Sequence, residues 1–348
     1  MPIAITMGFQ YRCSLRSTKP PVAIHFGNDD VVRLMQISGE HDFALDASFE
    51  VLSTDDVGLK EATACFNSRA AVVSVPSSEI LLRHIRVDYD ANEDEVVQKL
   101  CGQNEAWSSA SIRQLPIFTS IRGGPNAKLQ QELLCVGVSH GIIDRCVSTV
   151  ERAGMDVRRV TVPVHATLRA FDKLYRRDGD ETITSMVVDL DKKQTIAMIA
   201  HGMNLVVASS LQFKPTSVTK QQWSSTPALI LAGDNGSNFE RRENILPRGL
   251  VEPCQTGANC NDNAFVEELR GCIRHHSTLF PERAIDRLVF CGSGALQTEL
   301  CSSVANALGL EGYIADPSAW IRGAEELASG PTWTTVAGLC FAHAGDSQ

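Results

Sequence analysis

VAIHFGNDDVVRLM (Val22–Met35) and MVVDLDKKQTIAM (Met186–Met198) are the two stretches that decide the fold of this chain. Each is a short apolar run, a three-residue corner, a polar turn and a second apolar run. An apolar run broken by a Gly/Asn/Asp or Asp/Lys/Gln turn and then resumed reads as a strand, a tight turn and a return strand. Laid side by side without a gap, His25 meets Asp189, Phe26 meets Leu190 and Gly27 meets Asp191. Two equivalent hairpins in one chain predict a duplicated α/β fold with a cleft between the halves.

Working outward from the first hairpin, a further extended stretch lies near Asp42–Val51. AVVSV (Ala71–Val75) is a buried-strand run closed by Pro76, and Glu79–Val87 alternates as a strand with one wet face. Val96, Val97, Leu100, Cys101 and Trp107 mark an amphipathic helix over Asn92–Trp107, with Asn92 as its N-cap. Two extended segments, Gln114–Ile121 and Leu129–Ser139, flank a Gly123–Asn126 turn. Ile142, Ile143, Cys146, Val147 and Val150 then form one helical stripe that stops at Gly154. Residues 77–154 thus read as an inserted α+β unit with two layers of its own.

Val157–Val162 is a short strand, and Pro163 opens a helix bearing Val164, Leu168, Phe171 and Tyr175. The polar break Arg176–Asp180 is the candidate hinge. From the second hairpin, extended segments run to Phe213 through a turn at His201–Asn204. Residues 216–263 are rich in Gly, Asn, Ser and Pro and read as loops. A helix carrying Phe265, Leu269, Cys272, His276 and Leu279 follows. The strand Leu288–Cys291 then enters Gly292-Ser293-Gly294-Ala295 and a helix with Leu296, Leu300, Val304 and Leu308.

At 348 residues the chain is long enough for about two domains. With a net charge of −9 and no Lys/Arg run, nucleic-acid binding is excluded as a leading role. No apolar run reaches the ~18 residues of a membrane span, and no basic region precedes the N-terminal apolar stretch as a signal peptide requires. The 11 cysteines are scattered singly inside apolar runs, as reduced thiols of a cytoplasmic protein. No metal site is expected. His275 and His276 are adjacent on a helix and point about 100° apart, and His276 lies on the apolar stripe as a core histidine. No Ser/His/Asp or Cys/His set has a recognisable local signature, so no catalytic residue is assigned.

The paired hairpins resemble those of the actin, Hsp70 and sugar-kinase superfamily, in which an Asp-x-Gly corner in each half grips nucleotide phosphates. Cys291–Ala295 sits where that superfamily carries its adenosine turn. Within it the sequence most resembles the PilM family of type IV pilus assembly proteins. The resemblance rests on VVSVPSSEILLRHIRV (72–87), VGVSHGIIDRCVSTVERAGMDVRRVTVPVHATLRAF (136–171), LVFCGSGALQTELCSSVANALGLEGYIADP (288–317) and VAGLCFAHA (336–344). It implies an actin-like two-lobe fold, with ribonuclease H-like mixed sheets flanked by helices. Residues 1–76 and 155–178 would form the first lobe, residues 77–154 an extra subdomain in it, and residues 179–348 the second lobe. It implies ATP with Mg²⁺ as ligand of Gly27, Asn28, Asp189, Gly292, Ser293, Gly294 and Ala295. It also implies a PilN-like membrane partner whose N-terminal cytoplasmic peptide is held in a cleft beside the insert. With it come other pilus platform proteins, a place at the inner-membrane face, and self-association as an open question.

Each corner keeps only one member of the superfamily pair. The first keeps Gly27 but has His25 for the Asp; the second keeps Asp189 but has Asp191 for the Gly. A carboxylate beside a polyphosphate costs on the order of 1–4 kcal/mol per charge pair. Its Cβ also blocks the close approach that Gly allows. His25 offers no oxygen ligand for Mg²⁺. The expectation is therefore a scaffold with degenerate phosphate loops. The rival is an active ATPase or sugar kinase of the superfamily. A cell-division protein of the FtsA kind is a weaker rival, since no amphipathic helix follows Ala342.

Overall fold

Burial on both faces forces the first hairpin into the middle of a sheet. Val22, Ala23 and Ile24 are fully buried, as are Leu34 and Met35 on the return. The computed structural model describes residues 19–39, 42–121, 129–175, 183–215, 260–324, 327 and 330–341. The expected Gly123–Asn126 turn, the Arg176–Asp180 hinge and nearly all of the 216–263 loop region lie outside these residues.

The first sheet has the order β3-β2-β1-β4-β8, from β1 (Val22–Phe26), β2 (Val31–Ser38), β3 (Ala44–Leu52), β4 (Ala70–Ser74) and β8 (Asp156–Thr161). The second has the order β11-β10-β9-β12-β13, from β9 (Thr184–Leu190), β10 (Thr195–His201), β11 (Asn204–Leu211), β12 (Arg287–Cys291) and β13 (Glu311–Ile314). In both, the hairpin strands pair antiparallel and the last two strands are parallel to the central one. This is the predicted duplication, strand for strand. His25 pairs with Ser74 in one half as Asp189 pairs with Cys291 in the other.

The return strands do not follow the gap-free alignment. Phe26 pairs with Val32, whereas Leu190 pairs with Thr195, so the first turn is one residue longer. Asp30 absorbs the extra residue in the left-handed region, φ 63°, which Asp tolerates better than most side chains.

The three-stranded sheet β5-β7-β6 comes from β5 (Ile80–Asp88), β6 (Ala110–Ile121) and β7 (Leu129–Ser139), all antiparallel. Its odd-numbered face, with Ile85, Leu133 and Cys135, meets Val96 and Leu100 of α2 (Glu93–Cys101) and Trp107. Asn92 Oδ1 accepts the Glu95 N–H at 2.9 Å, the expected N-cap. The helix ends sooner than the apolar spacing predicts. Gly102 closes it, and Trp107 enters the core from a separate 3₁₀ turn, Glu105–Ser109. The even-numbered face, with Leu82, Leu134 and Val136, turns toward the main core.

Helix α1 (Asp56–Ala64), capped by Asp55, was not anticipated. Helix α3 (His140–Arg152) buries Ile143, Cys146 and Val150 as predicted, and α4 (Pro163–Ala170) starts on Pro163. On the second sheet, α5 (Cys260–Leu279) buries Phe265, Leu269, Cys272, His276 and Leu279. Helix α6 (Thr298–Leu308) follows a 3₁₀ turn, Ser293–Leu296, and stops at Gly309, φ 68°. Helix α7 (Thr334–Cys340) returns to the first sheet, against β1, β2, β4 and α4. Among the described residues no helix is long and apolar enough to cross a membrane.

Candidate functional site

Cross-strand register brings His25, Arg33 and Glu50 into one row at the end of the first hairpin. Arg33 Nε donates to Glu50 Oε1 at 3.0 Å, and Nη1 donates to Asp29 Oδ1 at 3.2 Å. Nη2 donates to the second oxygen of Asp29. The guanidinium is buried, and two carboxylates satisfy its planar fork. Burial alone would push the Asp29 carboxyl up, but the hydrogen bonds and charge of Arg33 outweigh it and hold the pKa low. Burial and the charge of Arg33 together lower His25 to about 3, so the ring is neutral.

The glycine of this corner faces the protein itself. A Cβ on Gly27 would lie 2.5 Å from Asp29 Oδ1 and 2.8 Å from Arg33 Nη1. Asn28 is buried, and its Oδ1 accepts the Ser78 N–H at 3.0 Å, tying the turn to the start of the insert.

The second corner meets the first across the cleft. The backbone N–H groups of Ser293 and Asn28 lie near enough to the Asp191 carboxylate to favour its charged form against burial. Ser293 Oγ lies 3.4 Å from Asp191 Oδ1. Converging backbone N–H groups of this kind form an anion-binding concavity, and here the anion is the chain's own side chain. Asp189 lies beneath Gly292, whose φ of 79° and close approach no other residue could match. A Cβ there would meet Asp189 Oδ1 at 2.6 Å and Leu190 O at 2.7 Å. A Cβ on Gly294 would meet Leu190 and Pro215 at 2.8 Å, and Ala295 packs into the second core. Lys193 Nζ and Asp30 Oδ1, 2.5 Å apart on the rim, also join the two turns.

The structure therefore sets Ser293 against Asp191, with Asn28 nearby, and Asp189 against Gly292. Asp29 and Arg33 are functional neighbours that the sequence reading passed over. Their signal was a lone Arg in an apolar strand, four residues after an Asp.

Burial and the neighbouring carboxylate of Asp191 push Asp189 up to about 8, against weaker opposing effects of Cys291 and Arg33. Burial and the charge of Asp29 raise Asp191 as well. The native state thus keeps a proton that the unfolded chain releases near pH 4, so stability falls as pH rises from there to about 8. The buried neutral His25 acts oppositely. Its unfolded form gains a proton below pH ~6.5, so its effect is confined to more acidic conditions. Between pH 6.5 and 8 Asp189 should dominate, at up to about 1.4 kcal/mol per pH unit. Asp189→Asn, which mimics the protonated form, is expected to remove that slope in denaturant unfolding at pH 6.5, 7.25 and 8. An unchanged slope would mean that Asp189 is ionised in the native state.

No curated protein sequence matches the chain. Among solved structures, a PilM–PilN type IV pilus biogenesis complex aligns with a TM-score of 0.63 at 12% identity, covering 93% of this chain and 98% of that one. A Bacteroides thetaiotaomicron protein with actin-like ATPase fold and unknown function aligns at 0.45 and 9% identity, covering 90% and 96%. The ethanolamine utilization protein EutJ from Carboxydothermus hydrogenoformans aligns at 0.42 and 12%, covering 93% and 90%. The fold is actin-like: duplicated mixed sheets flanked by helices. The sequence profile of the type IV pilus assembly protein PilM matches residues 59–331, well over half of the chain. The chain belongs to the PilM family of type IV pilus assembly proteins.

Proposed function

We propose that this protein is a non-catalytic scaffold at the cytoplasmic face of the inner membrane, within a type IV pilus or related secretion platform. The observation that carries the reading is the buried Asp191 carboxylate, which lies 3.4 Å from Ser293 Oγ and beside the N–H groups of Ser293 and Asn28, where a phosphate would need them. An incoming phosphate must displace that carboxylate or lie against it, at about 1–4 kcal/mol per charge pair. Gly27 adds to the closure, because Asp29 and Arg33 fill the space over it. Asn28 then meets Asp191 between the lobes, Gly27 closes the first corner, Asp189, Gly292, Ser293, Gly294 and Ala295 pack within the second half, and Mg²⁺-ATP is at most a weak ligand.

In this reading residues 1–76 and 155–178 make one lobe core, onto which α7 returns, 77–154 is its insert, and the second lobe is drawn from 179–348. The partner is the N-terminal cytoplasmic tail of a PilN-like membrane protein, as family membership and the PilM–PilN complex suggest. Its cleft lies between the strands of residues 72–87 and the insert, where an extended peptide can add main-chain bonds to a sheet edge.

A fluorescent peptide copied from the cytoplasmic tail encoded beside this protein is expected to bind saturably. Calorimetry of the unaltered chain with millimolar Mg²⁺-ATP is expected to give no heat. Asp191→Gly, which clears the N–H groups and restores the corner glycine, should make nucleotide binding detectable while peptide binding stays unchanged. Absence of peptide binding would sink the scaffold reading. Sub-millimolar ATP binding by the unaltered chain would sink the closed corner alone.

A further inference from the structure

Away from the cleft, the insert and the second half meet at a cluster of three side chains. His84 stands on β5, Glu132 on β7 and His275 on α5. Pairing of Arg86 with Glu132 and of His84 with Leu134 puts the two strand residues on the face that turns away from α2. Helix α5 lays His275 against His84, with ring centroids 4.7 Å apart and planes at 73°. One potential ligand atom from each of the three lies within 4.8 Å of the others.

Two nitrogens in the cluster, His84 Nδ1 and His275 Nε2, are buried and have no hydrogen-bond partner. A buried polar atom without a partner costs about 1–3 kcal/mol, so two in one cluster call for an occupant. Glu132 is already oriented, since Arg86 Nε donates to its Oε2 at 3.0 Å and leaves Oε1 for another bond. Partners of this kind hold the carboxylate ligands of metal sites. A groove of about 310 Å³, lined by Ser209, Gln212, Glu268 and Cys272, also reaches His275.

We propose that His84, Glu132 and His275 bind one Zn²⁺-type cation, which clamps the insert to the second half of the chain. Two imidazoles and one carboxylate suit Zn²⁺ and disfavour Mg²⁺ or Ca²⁺, which take all-oxygen sets. A water completes four-coordination. Zn–N bonds of about 2.0–2.1 Å place tetrahedral ligands roughly 3.3 Å apart, so the side chains draw in on loading. That movement releases one contact. His84 Nε2 accepts the Ala208 N–H at 3.3 Å, which leaves the ring proton on Nδ1. With a cation on Nδ1 the proton moves to Nε2, and the metal bond replaces the Ala208 bond. The clamp does not depend on the proposed pilus role or on the nucleotide corner.

The test is to strip the full chain with chelator and titrate it separately with Zn²⁺ and Co²⁺. One equivalent is expected to bind and raise the melting temperature. The Co²⁺ form should show visible d–d bands without a thiolate charge-transfer band. Glu132→Gln keeps shape and the Arg86 contact while withdrawing the charge. It should weaken uptake by about a hundredfold or more, as should His275→Ala. Cys272→Ser, in the same groove, should leave uptake unchanged. No uptake would assign the two nitrogens to a bridging water and overturn the proposal. So would a thiolate band, loss of uptake in Cys272→Ser, or undiminished uptake by a Glu132→Gln variant with native circular dichroism.

Discussion

Arg33→Ala is expected to lower the stability of the chain by about 3–5 kcal/mol, the usual cost of removing one member of a buried ion pair. Arg33 is 5% exposed, and it bonds both Asp29 and Glu50. Its charge also offsets Asp191 and Asp189 across the cleft. Truncation strips Asp29 of the cation that bonds it and leaves Asp191 with less positive charge to offset it. A chain of this size loses roughly 2–4 °C of melting temperature per kcal/mol, so a fall on the order of 10 °C should appear in a thermal scan. Asp29 should also lose its low pKa, since Arg33 is what holds it down. Adding Asp29→Asn to the variant removes one stranded charge and should restore part of the loss. A cost below ~1 kcal/mol would mean that water reaches this corner and screens it.

Gly338→Ala should be comparably severe. A Cβ at Gly338 would sit 1.8 Å from Ala166 O and 2.6 Å from Ala166 C, with Ala170 N at 3.0 Å. All three are backbone atoms of α4, so no side chain can swing aside and the helices must part. Overpacking of this kind costs 1–3 kcal/mol and occasionally more. With backbone opposed to Cβ, about 3 kcal/mol or more is expected, even after the ~1 kcal/mol that Ala gains over Gly in helix propensity. Gly141→Ala in α3 is the control, because the nearest atom to its Cβ is Ser139 Oγ at 3.9 Å. There the propensity gain should stand alone and raise stability by up to about 1 kcal/mol. Denaturant midpoints for the two variants should move in opposite directions.

The central strands were legible because burial on both faces leaves a continuous apolar run, as in Val22–Ile24 and Met186–Val188. The one-residue slip of the first return strand was not. It depends on Asp30 adopting a left-handed conformation, which no apolar spacing records. Helix α1 escaped notice because its stripe is thin: Leu59 and Ala62 are buried, but Val57 is 68% exposed. His276 is the core histidine that its position on the stripe predicted, buried with its Nε2 2.8 Å from His201 Nε2. His275 shows the limit of that reasoning. Its neighbour His84 is supplied by a strand of the insert, and nothing within one helix could announce it. The altered corner residues His25 and Asp191 were visible by comparison of the halves. That Asp191 lies beside both Ser293 and Asn28 depends on the tertiary fold.

The seating of α7 on the first sheet carries a consequence for biosynthesis. Thr335 Oγ1 lies 2.9 Å from Thr167 Oγ1 of α4, across 168 residues of sequence, and Trp333, Val336 and Leu339 complete the first core. A ribosome adding about 5–20 residues per second needs roughly ten to thirty seconds to make that interval. During this time the first half waits with the ground for its last helix bare, so the final dozen residues of the described chain act as the latch on its beginning.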